Sequence, residues 1–191
     1  MSVECVLCTH NGERYISEQL ESICKQTMPI DRIVICDDGS NDNTISIISS
    51  FKKSSSIPVE VYRNESNLGP IKNFEKALSL TNGDYIFFSD QDDVWMPDKV
   101  ECSLKEMINI EKKYGKEVPC LVHSDLFVVD RDLKLLHESF LKNQGLQHVY
   151  DKKRQLCNLM VQNFVTGCTM VINRALKEEA TPFPSDIIMH D

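Results

Sequence analysis

The chain has 191 residues, 41% of them hydrophobic and 26% charged, with a formal net charge of −8 and a pI near 5.1. That is room for one domain, residues 1–191, with a sizeable core. The acidic balance excludes a surface built to neutralise nucleic-acid phosphates. An anionic small molecule stays within reach if a metal ion or backbone donors meet its charge.

The opening "MSVECVLCTHNGERY" has no basic start and no long apolar run, so no secretory leader is read there. No window approaches the roughly eighteen apolar residues of a membrane span. "VECVLC" (3–8) is a continuously apolar strand. "RYISEQLESICKQT" (14–27) spaces its apolar residues as a helix does. "RIVIC" (32–36) is a β-branched strand, and "NTISIISSFKK" (43–53) a helix capped by Asp42 or Asn43. "VEVY" (59–62) is a strand, and "PIKNFEKALSL" (70–80) a helix opened by Pro70. "DYIFFS" (84–89) is a fourth strand, and residues 97–114 form a long helix stopped by Gly115. Beyond it the regularity weakens. Residues 120–130 read as one or two strands, 151–162 as a helix and 168–174 as a strand. The chain closes on "IIMHD" with no closing loop, which reads as a cut end.

Apolar strands alternating with helices predict an α/β domain: a mostly parallel, Rossmann-like sheet sandwiched by helices. Ligands of such sheets sit at the carboxyl ends of the strands. The polar clusters fall there: "THNGE", "DDGSND", "NESNLG" and "DQDD" follow strands one to four. The eight cysteines, without a leader, read as free thiols of a reducing cytosol. Cys5 and Cys8 form a CxxC. On a strand they face opposite ways, roughly 10 Å apart, and cannot share a zinc ion.

"IFFSDQDDVWMPD" (86–98) delivers Asp90, Asp92 and Asp93 to one point. Carboxylates about 4 Å apart repel by several kcal/mol at intermediate dielectric, so a pKa rises or a cation binds. Hard oxygen ligands favour Mg²⁺ or Mn²⁺, commonly shared with substrate phosphates. A bare Asp-x-Asp is most often a solvated acidic turn. The buried strand before it and the "MPD" helix start after it reverse that judgement here.

Taken together, "CTHNGERYISEQLESICKQT", "VICDDGSNDNT", "NLGPIKNFEKAL" and "GDYIFFSDQDDVWMPDKV" resemble family 2 glycosyltransferases of the GT-A fold, most strongly over residues 3–100. "SDQDDVW" with a final "HD" is similar to a rhamnosyltransferase-like branch. The resemblance implies a nucleotide-sugar half (1–100) and an acceptor-side half (101–191). It places Thr9, His10 and Asn11 on the first nucleotide loop, although the family usually has Tyr at His10 and often Pro at Cys8. It assigns Asp38 to a uracil or thymine imide, leaves Asp37 as structural, and closes Asn67, Gly69, Lys72 and Asn73 over the nucleotide. Asp92 becomes the metal-contacting carboxylate and Asp90 its partner, with Mg²⁺ or Mn²⁺ as cofactor and Asp93 acting through water. Trp95 either floors the sugar site or packs in the core. "GC" (167–168) resembles an acceptor-side loop. Asp191, in the pair His190-Asp191, is the implied catalytic base, with Asp125 in reserve.

The implied reaction moves a sugar, with inversion, from a UDP- or dTDP-linked donor to a glycan or lipid-linked acceptor hydroxyl. It would belong to cell-surface polysaccharide assembly in the cytoplasm, with peripheral association at the inner face of the plasma membrane. Two other readings stand beside it: an inactive nucleotide-sugar-binding fragment, and a sugar nucleotidyltransferase, whose Gly-rich, Arg-containing first loop "CTHNGERY" lacks. An oxidoreductase would show G-x-G-x-x-G, which is absent from the sequence.

Overall fold

A computed structural model describes residues 1–146, 155–187 and 189. Its first part alternates regularly: β1 (Val3–Thr9), α1 (Ile16–Cys24), β2 (Arg32–Asp37), α2 (Thr44–Ser54), β3 (Val59–Arg63), α3 (Pro70–Ser79), β4 (Tyr85–Ser89) and α4 (Lys99–Tyr114). Each expected element of this part is present. Pro70 starts α3, where its missing N–H costs nothing. Gly115 ends α4 at a φ of 97°. At α2 the capping bond comes from Asp42, which accepts from the Thr44 N–H at 3.0 Å, while the Asn43 side chain makes no cap.

The later elements are β5 (Leu121–His123), β6 (Val128–Val129), β7 (Leu135–His137), α5 (Phe140–Asn143), α6 (Gln155–Val161), β8 (Met170–Asn173) and α7 (Arg174–Ala180). The expected helix at 151–162 is seen as α6, and residues 151–154 lie outside the described ones. Residues 120–130 supply two strands that part company. β5 edges the main sheet, while β6 pairs with β7 in a separate hairpin. β7 was not anticipated. Its three residues are all exposed, so no alternation of buried and exposed positions marks it as a strand.

The main sheet has the order β3-β2-β1-β4-β8-β5. β1 to β4 are parallel, and β8 runs antiparallel to both β4 and β5. Alternate strand residues face opposite layers. Cys5, Leu7, Ile33, Ile35 and Phe87 pack with Leu20 of α1 and Leu104 of α4. Val6, Val34, Cys36, Ile86 and Phe88 pack with Phe74 and Leu78 of α3. Each fully buried aliphatic or aromatic side chain contributes about 1.5–3 kcal/mol, and together the two layers cover both faces, as a parallel sheet requires. Cys5 belongs to the first layer and Cys8 packs against the second. Burial pushes both thiols well above their ordinary range, so they act as small hydrophobes.

The chain passes from β1 through β2 to β3 on one side, then returns by α3 to place β4 on the other side of β1. That reversal opens a crevice between β1 and β4 at their carboxyl ends.

Candidate active site

The crevice holds a cavity of about 230 Å³ lined by Thr9, His10, Asp38, Asn67, Asn73, Asp90, Gln91 and Asp92. The four strand-end clusters therefore meet. Within it most polar groups are already engaged with one another. Asp37 is fully buried. It accepts from Thr9 Oγ1 at 3.0 Å, the Ser40 N–H at 3.0 Å and Ser40 Oγ at 2.5 Å. This is the structural role expected of it, and it fixes Thr9 as well.

Asp38 is 3% exposed. Its Oδ1 accepts from Asn64 Nδ2 and the Leu68 N–H, each at 2.8 Å, and its Oδ2 accepts from the Gly69 N–H at 2.9 Å. The carboxylate thus folds the β3–α3 loop over the crevice. Of its roughly four acceptor sites, three are taken, and one on Oδ2 remains. Asn73 donates to the Cys36 carbonyl at 2.9 Å and accepts from Asn64 at 2.9 Å. It is a brace that lines the cavity. Lys72 is exposed on α3 and is not part of the cavity lining.

His10 Nδ1 lies 2.9 Å from the Asp38 carbonyl, and its Nε2 lies 3.1 Å from Asn11 Nδ2. Those partners assign the proton to Nδ1. Asn11 adopts φ 50°, a left-handed turn that asparagine tolerates, and its Oδ1 accepts from the Asn41 N–H at 2.8 Å. Gln91 pairs with the His10 backbone in both directions: Oε1 accepts from its N–H at 2.9 Å, and Nε2 donates to its carbonyl at 3.1 Å.

The acidic segment after β4 rests on α1. Gln19 is fully buried. Oriented so that each atom meets its complement, its amide oxygen accepts from Trp95 Nε1 at 3.1 Å and its nitrogen donates to the Asp93 carbonyl at 2.7 Å. Ser22 Oγ accepts from the Trp95 N–H at 3.0 Å. Gln26 bridges the Met96 carbonyl at 2.9 Å and the Val100 N–H at 3.1 Å. Sequence reasoning missed Gln19, Ser22, Gln26, Asn64 and Gln91. The signal for the first three was polar residues at i, i+3 and i+7 on the face a helix should bury. Trp95 packs in the core and also lines a cavity shared with Asp92 and Cys168. It is 5% exposed, lies 5.6 Å from the Phe87 ring, and carries Lys99 Nζ 5.0 Å over its own ring.

Carboxylate oxygens of Asp90 and Asp93 and the Cys168 sulfur lie within 4.8 Å of one another. Asp93 Oδ2 is buried without a hydrogen-bond partner. Burial, and secondarily the neighbouring Asp92 charge, raises the Asp93 carboxyl. Burial also lowers the Lys99 ammonium, whose Nζ donates to the Cys168 carbonyl at 2.8 Å. Burial holds the Cys168 thiol well above its ordinary range. The donor set is therefore two or three carboxylates with a protonated thiol beside them, which fits a hard divalent cation. Asp92, exposed, borders both this cavity and a second one of about 730 Å³ lined by Met96, Asp98, Asp125, Phe127, Val129 and Cys168. Of the "GC" pair, Cys168 lines the second cavity. Asp125 there accepts from the Leu126 and Leu141 N–H groups at 2.9 and 3.1 Å and from Ser139 Oγ at 2.5 Å. It anchors α5. His190 and Asp191 lie outside the described residues.

Fold and crevice define a doubly wound α/β domain with an acidic crevice at its switch point. The sequence pattern of the family described as Glycosyl transferase family 2 matches residues 4–179, and the chain belongs to that family. It is 30% identical over 198 residues to a dTDP-rhamnosyl transferase, RfbG, of Shigella flexneri, covering 97% of this chain and 62% of that one. It is 34% identical over 176 residues to the abequosyltransferase RfbV of Salmonella typhimurium, covering 90% and 49%. A mannosyltransferase from Pyrobaculum calidifontis, solved with GDP-Man and Mn²⁺, superposes with a TM-score of 0.66 over 97% of this chain and 48% of that one at 18% identity. It shows the GT-A fold. S. aureus TarS, solved with UDP, matches 59% of this chain and 32% of that one at 29% identity and a TM-score of 0.50. The chain thus spans about half to two thirds of the length of these two curated relatives.

Proposed function

We propose that this chain carries the donor-binding and part of the acceptor-binding machinery of an inverting glycosyltransferase. It would use a UDP- or dTDP-linked sugar and a glycan or lipid-linked acceptor at the cytoplasmic membrane face, in cell-surface polysaccharide assembly. The observation that carries the reading is the single crevice with Asp38 at one end, Asp90 and Asp92 at the other, and a second cavity opening past Asp92. The relative named as a dTDP-rhamnosyl transferase supports the donor class.

In this reading the free acceptor site on Asp38 takes the imide N–H of a pyrimidine, and His10 flanks the base. Asp90 and Asp92, with Asp93 behind them, would hold Mg²⁺ or Mn²⁺. When bound, the ion supplies neutralising charge to the departing diphosphate, worth several kcal/mol. Asp191 takes the proton of the acceptor hydroxyl as its oxygen attacks the anomeric carbon from the face opposite the diphosphate. The C–O bond to the diphosphate breaks as the new glycosidic bond forms. Such a base contributes about 10²–10⁴ in rate.

Calorimetry of UDP, dTDP and GDP with and without Mn²⁺, for wild type and Asp92→Asn, tests the reading. Pyrimidine diphosphates should bind better than GDP, require Mn²⁺, and lose that requirement with most of their affinity in the variant. A preference for GDP, or unchanged Mn²⁺-dependent binding in Asp92→Asn, would overturn it.

A further inference from the structure

We propose that Gln91 is a positioning residue that couples the base end of the crevice to its carboxylate end. This inference rests on the nucleotide-binding reading of that crevice. The ladder between β1 and β4 ends at the pair Leu7 and Ser89. Beyond it the two segments carry His10 on one side and Asp90 and Asp92 on the other, with no further strand pairing between them. Gln91 ties them together again. Its amide exchanges hydrogen bonds of 2.9 and 3.1 Å with the N–H and carbonyl of His10, one in each direction. A side-chain amide used this way imitates one more rung of the sheet, placed where the ligand cavity begins.

Gly12 makes room for it. A Cβ at Gly12 would collide with the Gln91 amide oxygen and stand 2.6 Å from its Cδ. Gly12 does not adopt the left-handed φ that would by itself demand glycine. Space for Gln91 is therefore the constraint at that position.

From His10 the linkage continues toward the base end. His10 Nδ1 donates to the Asp38 carbonyl at 2.9 Å. The Asp38 N–H donates to the Thr9 carbonyl at 2.8 Å. The Asp38 carboxylate holds the Leu68 and Gly69 N–H groups. Gln91 closes this series onto the segment bearing Asp90 and Asp92. A nucleotide diphosphate reaches both ends, so the tightening of nucleotide binding by a divalent cation depends on the distance Gln91 sets. By linkage, the nucleotide tightens the cation by the same factor.

The measurement is the ratio of UDP dissociation constants without and with Mn²⁺, by calorimetry, alongside the melting temperature. Wild type should show a large ratio. Gln91→Ala and the near-isosteric Gln91→Met should each reduce it by roughly tenfold, the expectation for losing two modest hydrogen bonds, with little change in melting temperature. Gly12→Ala should reduce it similarly in the wild-type background and have no further effect beside Gln91→Ala. A ratio unchanged in both Gln91 variants would overturn the inference while leaving the functional reading intact. So would a fall in melting temperature with the ratio preserved. A wild type whose UDP binding ignores Mn²⁺ would overturn the functional reading and this inference with it.

Discussion

Asp38 ties down a loop with the carboxylate that the proposed function also assigns to ligand recognition. Three donors from the β3–α3 loop converge on it, and Asn64 among them also receives Lys76 Nζ at 2.6 Å. Truncation would leave the part-buried Leu68 N–H without its acceptor, while the Gly69 N–H keeps Asn67 Oδ1 and Asn64 Nδ2 keeps Asn73 Oδ1. Asp38→Ala should therefore destabilise the protein by about 1–3 kcal/mol, the cost of leaving one such group unsatisfied, and should erase any preference for uridine over guanosine nucleotides. Urea denaturation and competition binding check the two effects. Stability equal to wild type would contradict the tethering role. The His10 ring is held by partners on Asp38 and Asn11.

At the scale of elements, α1 determines where the acidic segment sits. A helix that buries Leu20 and Ile23 on the sheet also buries Gln19 and Ser22 toward that segment. These two groups, with Gln26 just past the helix, take up the orphan donors and acceptors between Asp93 and Val100. Irregular backbone can be buried only when its polar groups find such partners. Gln19→Ala should leave Trp95 Nε1 and the Asp93 carbonyl unpaired, costing about 1–3 kcal/mol. Trp95 is the only tryptophan in the chain, so its fluorescence reports the change directly. The emission should shift to the red and the Mn²⁺-dependent UDP affinity should fall. An unaltered spectrum would show that α1 does not hold the loop.

For the molecule as a whole, Asp92 is the point where the crevice and the second cavity meet. Substitutions on either side of it should separate binding from transfer. Asp191→Asn should leave Mn²⁺-dependent UDP affinity close to wild type and abolish sugar transfer to acceptor, read by donor consumption and product formation. Asp125→Asn should act on stability, because its carboxylate is committed to the start of α5. Undiminished transfer by Asp191→Asn would place the base elsewhere.

Apolar periodicity was enough to mark β1 to β4 and the helices between them. The placing of acidic clusters just after strands was enough to forecast one crevice. Both are local properties: alternation records which face is buried, and a polar cluster records where a strand stops. The resemblance of "DDGSND" and "SDQDDVW" to a known family supplied the residue types. Tertiary structure alone decided that β1 lies between β2 and β4, and that β8 enters the sheet antiparallel beside β4. It also decided that Trp95 packs under the loop, that three of the acceptor sites on Asp38 are already taken, and that Gln91 binds the His10 backbone. The partners of these groups lie far away along the chain, 81 positions in the case of Gln91 and His10. A lone pair or an aromatic face acquires its role from whichever group the fold brings against it, and no local pattern carries that information.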